Sequence, residues 1–416
     1  MIPLLWWLVA APQCQALAGG GELCAVETGV VPWVEVAVGF KIPADPPGKA
    51  GLALAGQAAA AINLPRLPPG WTLGLSEAGL VLQGGLHPAN LETELEPLLT
   101  AFVRRFDRPA AELAVARAVE LRRQLLDQDP TLARFELERA LYGGRPTGVD
   151  RYGQAAELVA VSADELLAWQ RRVICKQNLH LVVAGPVPNE VQVRLTSLSR
   201  DLPECAAATK TPSMGPPPPT LDLMVIDKPE RSVATLAIGA RLGLGPSPAA
   251  WAVAAACLSG RAGLLGASVD GAPIRAEVLG PPNAPSLLIL AKTPTPAALL
   301  STLLPALSRP PKLDAAAIQR ARTLAASDAA AALRDPSHLA RTVLNARLWG
   351  RPAEEPGELS AAILALEDPA IEAAVRALMV PPKALVVVTS AEARRVQELG
   401  RTPGVRRTVV VGYDTR

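Results

Sequence analysis

Histidine is scarce in this chain, with three in 416 residues, at positions 87, 180 and 338. No two of them stand four apart, the spacing that lets one helix face grip a metal ion, so a zinc centre built on such a pair is excluded. Charge of one sign is also missing: 41 basic and 39 acidic residues leave a formal net charge of +2. That balance offers no footprint for a polyanion and implies no nucleic-acid partner. The Arg pairs at 104–105, 122–123 and 171–172 fall in helical patterns and read as solvated faces. The five cysteines, at 14, 24, 175, 205 and 257, show no C-x-x-C spacing. This argues against a zinc knuckle and against a disulfide scaffold. They read as ordinary buried thiols; one disulfide is compatible with an oxidising compartment, but spacing selects no pair. Aromatic residues make up only 3%. After the N-terminus no apolar run is both long enough and free enough of charge to span a bilayer.

What is present is alanine, leucine, proline and glycine, in a chain that is 50% hydrophobic. Its length accommodates about two to three domains with real cores. The run Ile2 to Pro12 has the length of a secretory signal, and Ala16 to Gly20 offers an A-x-A site with cleavage after Ala18. No Lys or Arg precedes the run, and a buried strand is the other reading. Export to the periplasm or beyond is the expectation, with Cys14 leaving in the signal. Cys205 to Thr220 carries four consecutive prolines and reads as an extended linker. The expected division is therefore a signal over 1–18, a domain over 19–204, a linker over 205–220 and a domain over 221–416.

The halves repeat one another. "DPTLARFELERALYGGRP" (Asp129 to Pro146) returns as "DPSHLARTVLNARLWGRP" (Asp335 to Pro352), "NLHLVVAG" (Asn178 to Gly185) as "KALVVVTS" (Lys383 to Ser390), and "VPWVEVAVGF" (Val31 to Phe40) as "RSVATLAIGARLG" (Arg231 to Gly243). Three pairs in one order point to duplication. Each half reads as a strand, a Gly- and Ala-rich helix, a hairpin, amphipathic helices and a last buried strand. The hairpins are expected over 70–86 and 272–293, and helices over 91–106, 162–174, 295–309 and 368–379. Asn90 is a candidate N-cap, and Ser162 opens an S-x-x-E capping box. The fold class is α+β: two duplicated domains, each a mixed sheet flanked by helices.

"PPGKAGLA" (Pro46 to Ala53), "YGGRPTGVDRYG" (Tyr142 to Gly153), "VSADELLAWQRRVICKQNLHLVVAGPV" (Val161 to Val187) and "VIDKPERSVATLAIG" (Val225 to Gly239) together resemble the pitrilysin/insulinase family of zinc metallopeptidases. The nearest branch holds the mitochondrial processing peptidase and the core proteins of the cytochrome bc complex. The resemblance covers about residues 21–395 and implies a clam of two halves. Peptide-cutting members carry H-x-x-E-H on the first long helix, where two imidazoles hold zinc and the Glu polarises water. Here Leu54, Gln57 and Ala58 stand at those positions. None binds zinc, and the Gln57 amide accepts no proton near neutral pH. The fourth ligand position falls at Leu121 or Arg122, with Glu120 one residue away.

No metal and no cofactor is therefore expected. Active relatives hold substrate with an Arg and a Tyr of the second domain; here Ser268 and Ile274 lie near those places. Gly260, Arg261, Gly263 and Arg275 remain as candidates for peptide binding, with Gly266 and Gly271 completing a Gly-rich loop like that of the non-catalytic processing-peptidase subunit. The three histidines read as structural. The resemblance implies a catalytically inactive homologue that pairs with a zinc-bearing peptidase, shapes its chamber and binds unfolded peptide. An assembly or peptide-binding protein like the bc-complex core proteins is the alternative, and an enzyme with another constellation is the least supported reading.

Overall fold

The structure is a computed structural model that describes residues 11–28, 32–43, 49–64, 66–142, 152–186, 189–206, 221–260, 263–267, 269, 273–280, 284–309 and 313–413. Arg261, Ser268, Gly271 and most of the proline linker lie outside the described residues. Two six-stranded mixed sheets carry the fold. The first contains β1 (Gln13–Leu17), β2 (Gly21–Glu27), β3 (Val34–Lys41), β4 (Thr72–Leu75), β5 (Gly79–Leu86) and β6 (Leu179–Gly185). The second contains β7 (Asp222–Asp227), β8 (Ala234–Arg241), β9 (Ile274–Leu279), β10 (Ser286–Thr293), β11 (Ala384–Thr389) and β12 (Arg407–Gly412).

Five strands of each sheet run in the same order and sense. β2-β6-β3-β5-β4 matches β7-β11-β8-β10-β9, with one parallel pair (β2 with β6, β7 with β11) and antiparallel neighbours elsewhere. The duplication expected from the three sequence pairs is thus present as topology. The sixth strand fills the same edge in both sheets but has a different origin. β1 precedes its partner and pairs with β2 as an antiparallel hairpin; β12 comes from the chain's far end and pairs parallel with β7.

The compact units are not the sequence halves. One comprises Met1–Leu121, Gly148–Thr211 and Ala329–Glu358; the other comprises Arg122–Thr147, Pro212–Asp328 and Leu359–Arg416. The helices Asp129–Tyr142 and Pro336–Leu348, which carry the repeated Asp-Pro motif, are exchanged. Pro336–Leu348 packs on β3, β5 and β6, whereas Asp129–Tyr142 packs on β8 and β11. In the first unit Leu339, Ala340, Val343, Leu344 and Leu348 close a core with Cys24, Val26, Ala37, Val182 and Ala184. Full burial of each large side chain is worth roughly 1.5–3 kcal/mol, so this face stabilises the sheet substantially.

Equivalent glycines receive the exchanged helices. A Cβ on Gly39 would lie 2.9 Å from Leu344 Cδ1, and one on Gly239 2.8 Å from Leu137 Cδ2. The mid-strand glycine of each repeat is therefore a place where helix meets sheet closely. Polar contacts fix the helix ends. Gln83 Nε2 donates to Ser337 O (2.6 Å) and Oγ (2.8 Å), and Arg347 makes a bidentate pair with Glu22, 2.6 Å to each oxygen. In the second unit Lys228 Nζ and Arg231 Nε reach Asp129 at 2.9 and 3.1 Å, and Tyr142 OH donates to Ala284 O at 2.9 Å.

Two sequence expectations are corrected, while the stretch Ala16 to Gly20 forms the end of β1 and the turn to β2, with Gly19 and Gly20 at φ 89° and 106°. Four of the five cysteines are not free thiols: Cys14 bonds Cys24 across that hairpin, and Cys175 bonds Cys205. Cys257 is the free, buried thiol among the described residues, and burial pushes it up to about 11. Asn90 does not cap; its Nδ2 donates to Glu94 Oε1 at 2.9 Å while the helix starts with a wide turn over Leu91–Leu95. Ser162 does cap as expected, in a full capping box with Glu165.

Candidate functional site

The first helix, Leu52–Asn63, is where the resemblance would place zinc ligands. Its start is fixed tightly. Gly51 has φ 98° and Gly153 φ 68°, and a Cβ on Gly153 would lie 2.6 Å from the Gly51 Cα. Only glycine permits both that backbone and that approach, so two separate family-like motifs meet here. Ala50 N donates to Glu157 Oε2 at 2.6 Å, and Lys49 pairs with Glu165 at 2.6 Å. The Lys49 ammonium, then the Ser162 amide, hold the Glu165 carboxyl below the usual range.

Past this start the helix is apolar and packed. Leu54 is fully buried, Ala58 is 2% exposed, and Gly56 lies flat against the Trp169 ring of the Ala163–Val173 helix. The half-buried Gln57 donates through Nε2 to Leu73 O at 3.3 Å. An amide and two hydrocarbon side chains offer no charge and no basic lone pair, so the positions work as core packing. On the Arg108–Leu126 helix Glu120 is exposed, Leu121 half-buried and Arg122 buried. An arginine at the fourth position would repel a divalent cation.

The histidines are spread apart. His87 Nδ1 accepts from Ala89 N at 3.2 Å, and its ring stands edge-on to Trp33. His338 Nδ1 is 2.7 Å from Arg341 Nη2. His180, on β6, lies 3.6 Å from Glu22. Burial raises the pKa of Glu22, but His180 and the Arg347 guanidinium outweigh it and hold the carboxyl at about 2. Among the described residues one group of His, Cys, Asp or Glu is close enough to share an ion: Cys14, Glu22 and Cys24, with both sulfurs in a disulfide.

The peptide-binding candidates of the second unit are partly brought together. Gly260 has φ 79°, and its N–H donates to Ile274 O at 2.7 Å, tying the Gly-rich turn to β9. Gly263 N donates back to Gly260 O at 3.3 Å, and a Cβ on it would lie 2.0 Å from Ser259 O. Arg275 is 75% exposed and pairs with Glu277 two residues along the strand. Ile274 is buried. Sequence reasoning missed the Glu22–Arg347 and Asp129–Lys228–Arg231 clusters; the only signal was that both contain or flank the repeated Asp-Pro helices.

No family defined by sequence matches this chain, and no curated protein matches it significantly. Solved structures do. The M16 peptidase inactive domain from Pseudomonas fluorescens superposes with a TM-score of 0.74 at 15% identity, over 91% of this chain and 98% of that one. A chain of complex III2 from Candida albicans gives 0.74 at 11% identity, over 93% and 99%. The periplasmic protease PqqL from Escherichia coli gives 0.69 at 14% identity, over 94% of this chain and 49% of that one. At these identities the likeness speaks for fold. The chain has the two-domain fold of the M16, pitrilysin-like peptidases, with Leu54, Gln57 and Ala58 in the helix where the resemblance places zinc ligands.

Proposed function

We propose that this chain is a non-catalytic M16-like subunit that pairs with a zinc-bearing peptidase homologue, shapes its chamber and holds unfolded peptide. One observation carries the reading. The helix expected to hold zinc keeps its start at Gly51, Gly153 and Glu157, while Leu54, Gly56 and Ala58 are packed into the core. Retaining a scaffold while filling its metal positions with hydrocarbon fits a role in assembly rather than in bond cleavage. The Gly-rich turn at Gly260 and Gly263, with Arg261 and Arg275, is the proposed peptide contact. Two disulfides support a site of action outside a reducing cytosol, as does the likeness to a periplasmic protease. The likeness to a complex III2 chain favours one second reading, an assembly subunit with no peptidase partner.

The test is capture of the chain from its native extract, followed by titration with the captured partner. The expected result is a one-to-one complex with an H-x-x-E-H homologue, whose chelator-sensitive cleavage of unstructured peptides exceeds that of the partner alone. The isolated chain should bind no stoichiometric zinc and cut nothing. One tightly held zinc per chain overturns the reading; a partner without peptidase motifs transfers it to the assembly role.

A further inference from the structure

The outer edge of the first sheet is built from very little. β1 pairs only with β2, from Gln13 opposite Ala25 to Leu17 opposite Gly21. Four of its five side chains are exposed, and Leu17 alone is buried. Among the described residues Gln13 and Gln15 find no side-chain hydrogen-bond partner. Among the described residues the strand is held by a five-residue backbone ladder, the buried Leu17 side chain and the Cys14–Cys24 bond at its second rung. β2 is anchored independently. It pairs with β6 from Glu22 to Glu27 and buries Leu23, Cys24 and Val26. Removing β1 would leave β2 in place with the N–H and C=O groups of one edge unpaired, which is a template for another strand.

The bond is also asymmetric. Cys14 is exposed and Cys24 fully buried. The second disulfide joins buried Cys175 to half-buried Cys205. Around it, Cys205 N donates to Gln177 Oε1 at 2.8 Å and Lys176 N to Pro203 O at 3.0 Å. A reductant therefore meets Cys14 Sγ more readily than any other disulfide sulfur.

We propose that β1 is a redox-released strap, and that reduction of Cys14–Cys24 opens the edge of β2 to an extended peptide that pairs through its backbone. The reductant is a dithiol. Its thiolate attacks Cys14 Sγ, forming a mixed disulfide and expelling the Cys24 thiolate, which takes up a proton. The second thiol of the reagent then closes on the mixed disulfide and releases the Cys14 thiol. The protein disulfide gains two electrons, and the reagent leaves as its own disulfide. Because β1 contributes almost no side-chain packing, the ladder it vacates selects weakly for sequence and suits an unfolded segment.

The experiment uses the full chain at graded dithiol concentrations, with thiol alkylation read by peptide mass. Cys14 and Cys24 should label at concentrations that leave Cys175–Cys205 intact. Buried Cys24 is the reporter of strap release: it should label at a rate within about tenfold of Cys14, and those amides of 21–25 that pair with β1 should lose at least tenfold in exchange protection. A labelled synthetic copy of residues 11–18 with Cys14→Ser should bind the reduced chain at least tenfold more tightly than the oxidised one. The variant Cys14→Ser, untreated, should behave as the reduced chain does. If Cys14 labels while Cys24 and the β1-facing amides of 21–25 stay protected, the ladder alone retains the strand and the proposal fails. It fails equally if Cys175–Cys205 opens first, or if the probe peptide does not distinguish the two states.

Discussion

Gly56 shows how closely the first helix is packed. In an exposed helix, replacing glycine by alanine gains about 1 kcal/mol of propensity. Here a Cβ would lie 2.1 Å from Trp169 Cζ3, inside the ring's contact distance. Overpacking of that kind costs about 1–3 kcal/mol, so the steric loss should win. Gly56→Ala is expected to lower stability by about 1 kcal/mol in urea melts. Paired with Trp169→Leu, it should show a favourable coupling energy in a double-mutant cycle. A stabilised Gly56→Ala variant would mean that the ring does not cover the helix. The neighbouring Leu54 and Ala58, which the sequence marks only as wrong residues for zinc, turn out to be core positions in their own right.

At the scale of elements, the exchanged helices have the clearest consequence. Leu344 is fully buried on the Pro336–Leu348 helix, with Gly39 of β3 directly beneath it. Leu344→Ala leaves a cavity against a backbone that cannot collapse further, at a cost of about 3 kcal/mol. The measurement is hydrogen exchange, and loss of protection should fall on β3 and β6, some 160 or more residues earlier in sequence. If protection is lost on β8 and β11 instead, the helix packs at home and the exchange is refuted. The strands and most helices were legible beforehand, because alternation, the Ser162 capping box and the Asp-Pro starts are local signals. The destination of a helix is not local. Its apolar stripe fits either of two similar sheets, and a repeat that matches both cannot say which one it will cover.

For the molecule as a whole, acid should act through one pair that joins distant segments. Glu22 of β2 and Arg347 are 325 residues apart and form two charge-assisted hydrogen bonds. The folded Glu22 carboxyl sits at about 2, against 4.5 for the free group. Its stabilisation is therefore complete above about pH 4.5 and is lost as pH falls toward 2. Glu22→Gln should cost about 2–3 kcal/mol at pH 7 and almost nothing near pH 2, read as the urea midpoint of both proteins across that range. A difference that does not shrink on acidification would place the effect in packing rather than charge. The same pair explains why His180, an obvious metal-ligand type, is structural: it stands against a carboxylate already taken by arginine.

By itself the sequence determined the class of fold, the duplication and the absence of imidazole and carboxylate groups at positions 54, 57 and 58. These depend on periodicity, on repeated motifs and on which atoms a side chain carries, all readable without coordinates. The tertiary structure decided three further things: which cysteines meet, which helix covers which sheet, and that "ALAGG" is a turn within a disulfide-bonded hairpin. Each of these is a pairing between segments that local pattern alone does not select. Such a choice is made by the burial of the whole core, which no short window of sequence contains.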